Sequence, residues 1–373
     1  MEIAKDSESL LIGTQTDKKV RESGIELFRI ISMLLIVAHH YVVNSGVLKI
    51  ANVNPLSVNS IFLYVLGAWG KTGINCFVLI TGYFMCKSQI SAKKFLKLLL
   101  ELEFYRIVIY FTFVITGYSS FSFKELILAI IPFTSVSTNF TGCFLLFFLL
   151  IPFLNVLVKN ITERQHVLLL IVLLFIYTVI GTLPKFSVTM NYVSWYIVLF
   201  VIASYVRLYP KKIYDSKKLW GLLALITFII SAISVVVFTY IGVKLGRDLK
   251  FYLLSDSNKV LALLLGFTAF MFFKNLKFKN SFINIVAAST FGVLMIHANS
   301  DVMRQWLWVD VCKVPTAYSS TWLWLHSIVC VIIVFVVCTF IDYVRIKLIE
   351  KPILNKLDNK FKKIDSFFKG ENQ

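Results

Sequence analysis

The sequence predicts an all-α membrane protein, a polytopic bundle of about ten transmembrane helices with both termini in the cytoplasm. Three observations carry this reading. Mean hydropathy is +0.79 and 58% of the 373 residues are hydrophobic, above the roughly 45–50% of a soluble domain. Apolar runs of about 20 residues recur along the chain, each long enough to cross a ~30 Å hydrocarbon core. The 38 Lys and Arg residues fall on alternate loops at about three to one, the asymmetry that keeps basic loops inside. A net charge of +18 could otherwise suggest nucleic acid. Its distribution assigns it to topology and to contact with the lipid bilayer, and no nucleic-acid partner is expected.

Residues 1–22 are polar and form a disordered cytoplasmic tail. No small-residue cleavage pattern follows the first apolar run, so that run is expected to stay as an anchor. The membrane domain covers 23–350, with spans at roughly 25–44, 59–86, 95–117, 139–158, 165–184, 190–209, 218–242, 258–274, 284–299 and 321–345. The second span reads GAWGKTGINCFVLITGYFM and holds Gly67, Gly70, Gly73 and Gly82 beside Lys71. Glycines so dense next to an intramembrane Lys predict a broken or kinked helix facing protein or water; close helix packing is the plainer alternative. Residues 119–135 are too short to span and fit an interfacial or re-entrant segment. In 351–373, Ile353, Leu354, Leu357, Phe361, Ile364, Phe367 and Phe368 recur at helical spacing between Lys356, Lys360, Lys362, Lys363 and Lys369. That is a basic amphipathic helix suited to an anionic inner leaflet. Cys76, Cys86, Cys143, Cys312, Cys330 and Cys338 lack C-x-x-C spacing, so neither a metal site nor a disulfide framework is expected.

Ionisable residues inside a span are costly and are functional candidates by default. Glu26, Glu101, Glu103, Asp301 and Asp342 sit near span ends or beside basic partners, which leaves histidine as the leading acid–base group. In ELFRIISMLLIVAHH, Arg29 and His40 are eleven residues apart. Eleven helical steps make three turns plus ~20°, so both lie on one face about 16 Å apart along the axis, with His39 pointing about 80° away. Arg suits phosphate through its planar fork, and a neutral imidazole can take a proton from a hydroxyl. The competing structural reading has Arg29 snorkelling beside Glu26 and His40 bonding between helices.

The sequence resembles the acyltransferase-3 family of integral membrane O-acyltransferases, most closely the bacterial members that O-acetylate surface polysaccharides. The resemblance rests on GIEL, then Arg29, ten residues and His40; on GINCFVLITGYFM (73–85), with Thr81 where Ser is usual and Asn75 where many members carry Asp; on FLLFFLLIPFLNVLVKNITERQ (144–165); on STFGVLMIHANSDVMRQWLW (289–308); and on IEKPIL (349–354). These motifs cover residues 24 to 354 in order. The resemblance implies transfer of an acyl group, usually acetyl, from cytoplasmic acetyl-CoA to a glycan hydroxyl in the bacterial plasma membrane. It implies that His40 is the catalytic base or acyl carrier, with Arg29 holding the CoA end or fixing the first span. Lys93 and Lys94 become CoA-side candidates, although ordinary inside charge explains either one. Lys71, Arg106 and Thr81 become candidates for the oxyanion or acyl group; a pair with Glu103 is the alternative for Arg106. A helix continued past His297 would bring Asp301 and Arg304 to the same side, an acceptor-facing surface near Trp306 and Trp308. His166 and His326 are expected at interfaces. A transporter or flippase for a lipid-linked sugar or small anion also suits a broken, basic bundle, but inverted repeats and membrane carboxylates for ion coupling are lacking.

Overall fold

The protein is described by a computed structural model over residues 22–88, 91–131, 140–186 and 188–369. The expected N-terminal tail up to residue 21, positions 132–135 of the short outer segment and residues 370–373 lie outside the described residues. Among the described residues the chain is helical and contains no strand. Helices occupy all ten expected regions. They are α1 (Ser23–Val43), α2 (Val58–Gly67), α3 (Gly70–Met85), α4 (Ala92–Ile115), α5 (Phe140–Asn160), α6 (Glu163–Leu174), α7 (Tyr192–Leu208), α8 (Lys217–Leu245), α9 (Val260–Lys274), α10 (Ser281–Ala288), α11 (Thr290–His297) and α12 (Leu323–Arg345). Among the described residues, six stretches are long and apolar enough to cross a membrane, or seven if the bent pair Ser281–His297 and Asp301–Val311 is one span; α7 and α9 are shorter apolar helices.

Capping residues set the helix starts. Ser57, Ser91, Ser216 and Asn280 accept from backbone N–H groups in the first turn, and Thr162 with Gln165 and Asn191 with Ser194 form reciprocal boxes. These side chains satisfy donors that a helix leaves orphaned. The second expected span is broken, as its glycines predict, at Ala68–Trp69 between α2 and α3. The expectation of a helix continuing past His297 does not hold. The chain turns by 97° between His297 and Asp301. Asn299 Nδ2 donates to the Met295 carbonyl (3.1 Å), and Ser300 Oγ accepts from the Met303 N–H (3.1 Å). Each side chain thus satisfies one backbone group that the helix ends leave orphaned.

The centre of the bundle is α1, which packs against α2, α3, α9, α10, α11 and α12, while α3 lies among α1, α7 and α9. Late residues of α1 meet early residues of α3, so the two run antiparallel. A Cβ at Gly70 would collide with the His39 ring, and one at Gly73 would come within 2.6 Å of Ile36 and 3.0 Å of the Ser32 carbonyl. Only glycine permits this approach. Elsewhere, Asn75 on α3 donates to the Ser257 carbonyl (2.7 Å) and accepts from Trp195 Nε1 (2.8 Å). That role is structural, in keeping with the absence of an acid at this position.

A second anchor lies where α4 meets α12. Arg345 is buried and reaches Asp342 (2.8 Å), Glu350 (2.9 Å) and Glu101 (3.2 Å). Tyr105 donates to Asp342 (2.8 Å) and Lys97 pairs with Glu350 (2.9 Å). A π-helical stretch, Ile346–Glu350, turns Glu350 back toward Arg345. Beyond it, the short helix Asp358–Lys369 docks at the start of α4, where Asp358 pairs with Lys93 and Asp365 accepts from the Ala92 N–H (2.7 Å). Arg345→Met should cost about 3–5 kcal/mol, because it strands buried carboxylates. Thermal melting of the purified protein in detergent checks this, and Arg345→Lys should recover part of the loss.

Candidate active site

The end of α1 carries the adjacent pair His39 and His40. His39 Nδ1 donates to the Gly67 carbonyl at the end of α2 (2.5 Å), which spends that nitrogen on the α2–α3 break. His40 faces the other way. Its Nδ1 lies 2.9 Å from His297 Nε2, and His297 Nδ1 lies 2.6 Å from the Val293 carbonyl. A carbonyl only accepts, so His297 carries its proton on Nδ1 and presents Nε2 as acceptor. His40 then donates through Nδ1 and keeps its lone pair on Nε2. One backbone carbonyl thus sets the tautomers of both rings. His297 is fully buried, edge-on to the buried Trp308 at 6.3 Å, which holds its plane.

His40 lines a cavity of about 510 Å³ shared with His39, Lys71, Arg106, Tyr192 and Arg304. Lys71 opens α3, donates to the Tyr192 hydroxyl and lies 3.8 Å from Asp256. Arg106 donates to the carbonyls of Leu128 and Ile131 (2.8 Å) at the end of the short helix Phe123–Ile130, and lies 3.8 Å from Glu103. Arg304 pairs with Asp301 at 2.6 Å. The chamber thus joins an imidazole lone pair to three cations, each steadied by a carboxylate. Such a site can accept a proton and stabilise a developing oxyanion.

A family model described as an acyltransferase domain, acyltransferase-3, matches residues 22–343. The chain belongs to the acyltransferase-3 family. No curated protein and no solved structure matches it. The matched region holds every residue of the chamber, and membership supports membrane acyltransferase activity.

The acyltransferase fold brings together His40, Lys71, Arg106 and Arg304, with His297 directly behind His40. The other sequence candidates do not line the chamber. Arg29 sits three turns away, 3.5 Å from Glu26. The Thr81 hydroxyl bonds back to the Phe77 carbonyl of its own helix (2.9 Å). Lys93 is held by Asp358, and Lys94 lies in the first turn of α4. The bend after His297 leaves the Asp301 side chain 95% exposed while Arg304 turns inward. His297 meets His40 rather than an outward surface. Of the remaining histidines, His166 is buried against the Val201 carbonyl (3.0 Å), and His326 joins the Tyr41 hydroxyl (2.8 Å) to the Cys312 carbonyl (3.0 Å).

Sequence reasoning missed His39 and Tyr192. His39 lies off the Arg29–His40 line, and its signal is Gly70, the small residue its ring needs opposite. Tyr192 carries no helical or motif signal and becomes visible only once α7 packs on α3. In this acyltransferase Thr81→Val should leave transfer within about twofold, because the hydroxyl only back-bonds its own helix. Initial rates at matched membrane levels check this.

Proposed function

We propose that this acyltransferase moves an acetyl group from cytoplasmic acyl-CoA to a hydroxyl of a cell-surface polysaccharide or its lipid-linked precursor. It would do so in the bacterial plasma membrane, with ten crossing segments and both termini inside. The observation that carries the reading is the His40–His297–Val293 relay opening onto a basic chamber. The family membership supports the reaction class, and the alternate-loop charge asymmetry supports the orientation.

In this reaction the acceptor hydroxyl gives its proton to His40 Nε2 while its oxygen attacks the thioester carbonyl. The carbonyl oxygen gains charge beside Lys71, which Tyr192 and Asp256 hold in place. Collapse breaks the C–S bond, and the imidazolium returns its proton to the departing thiolate. Protons and electrons balance without a further reagent. His297 orients His40 and is therefore a positioning residue. Arg304 serves the acceptor side, with Asp301 holding its guanidinium. Arg29, Lys93 and Lys94 lie nearer the cytoplasmic ends in this orientation and suit the phosphates of the donor.

His40→Ala should lower kcat by about 10²–10⁴, the range of a general base, with the protein still inserted at normal levels. His297→Phe, which cannot accept from Nδ1, should lower kcat on the order of 10²-fold with KM unchanged, since a base in the wrong tautomer is a poor base. The measurements are transfer from labelled acetyl-CoA and the O-acetyl proton signal of surface glycan from a deletion strain carrying each variant. Full activity of His40→Ala would overturn the scheme.

A further inference from the structure

Lys71 stands on a frame in which three elements each supply a pair of residues. On α3, Lys71 and Asn75 are four residues apart and share a face. On α7, Tyr192 and Trp195 are three apart and do the same. On the connection from α8 to α9, Asp256 and Ser257 are adjacent. The first members of the pairs meet at the ammonium, where Lys71 donates to the Tyr192 hydroxyl and lies 3.8 Å from Asp256 Oδ1. The second members meet one turn further along α3. There Asn75 Nδ2 donates to the Ser257 carbonyl (2.7 Å) and Asn75 Oδ1 accepts from Trp195 Nε1 (2.8 Å). Asn75, Trp195 and Ser257 are fully buried, whereas Lys71 and Tyr192 line the chamber.

Ser257 joins the buried layer to the chamber layer. Its carbonyl is held by Asn75, and its N–H donates to Asp256 Oδ1 (2.7 Å), the oxygen that faces Lys71. An indole N–H only donates and a carbonyl only accepts. Trp195 therefore takes the amide oxygen of Asn75 and leaves the NH2 for Ser257, so the amide has one allowed orientation. A Cβ at Gly266 would come within 3.0 Å of Asn75 Cβ, so α9 closes on the amide from the remaining side. An ionised carboxylate at position 75 would offer Ser257 only acceptors. Lysine needs such a frame, because its charge rides on a flexible four-carbon stem. A donor stabilises a developing oxyanion best when it is already in place.

We infer that Asn75, Trp195 and Ser257 are positioning residues for acyl transfer. They fix Asp256, and through it the Lys71 ammonium, at the place where the thioester oxygen gains charge. The inference rests on the oxyanion role proposed above for Lys71.

Two measurements test this, both in inside-out membrane vesicles of the deletion strain carrying the full chain. The first varies labelled acetyl-CoA, with the glycan of the vesicles as acceptor. Asn75→Asp should lower kcat on the order of tenfold with KM unchanged, the cost of a displaced group. In a Lys71→Met background the same change should cost less than about twofold, since it acts through Lys71. Equal losses in both backgrounds would mean that Asn75 serves folding or another group, and would overturn the inference; so would full activity of Lys71→Met. Trp195→Phe removes the indole donor and should show the same dependence on Lys71, which covers a failure of Asn75→Asp to accumulate. The second measurement follows acylation of Lys71 by deuterated acetic anhydride, relative to the exposed Lys49, by mass spectrometry. Asn75→Asp and Trp195→Phe should each raise the relative rate by about fivefold, the worth of roughly one hydrogen bond. An unchanged rate in both variants overturns the inference whether or not transfer occurs. A raised rate in a chain whose wild type transfers no acetyl group leaves the frame standing and counts against the acetyl-transfer reading.

Discussion

The antiparallel contact of α1 with α3 sets the position of nearly everything else. Gly70 and Gly73 bring the two backbones so close that His39 and Ile36 occupy the space of the missing side chains. In lipid, where apolar burial between helices gains little, such packing is a principal source of association. The contact puts His40 and Lys71 on the wall of one chamber. It also carries α3 into the groove between α7 and α9, where Asn75 binds Trp195 and the 246–259 connection. A larger residue at 70 would displace the His39–His40 end of α1 and Lys71 together.

The relay differs in kind from a base held by a carboxylate. In the serine-hydrolase template an ionised Asp orients the His and stabilises the imidazolium as it forms. Here the orienting group is a second, neutral imidazole anchored to a main-chain carbonyl. It fixes the tautomer without adding a negative charge at depth, where a lone carboxylate would be expensive. It also gives the imidazolium little electrostatic relief, and the surrounding cations give none.

Much of the fold was legible because its signals are local. Hydropathy marked the ten helical regions, and the glycines of 67–82 marked the break at 68–69. The illegible parts depend on which helices become neighbours. His40 and His297 are 257 positions apart, and no period in either segment says that they meet. The turn at 298–300 contains Ala298, Asn299 and Ser300, with neither Pro nor Gly, so a continuous helix was the natural expectation. Only the structure reveals that Asn299 and Ser300 complete the broken ends. Glu101, Asp342 and Glu350 each read as carboxylates near span ends or beside a basic neighbour, and their convergence on Arg345 is a property of the packed bundle.

The separation of the two histidines also has a temporal meaning. Chains are made from the N-terminus onward, and early segments wait for later ones. When α1 enters the bilayer, His40 has no ring to donate to, and nothing yet distinguishes its two tautomers. The partner and the carbonyl that orients it arrive in α11, after most of the chain has been synthesised. His40 acquires the tautomer described here only as the last helices close on the first.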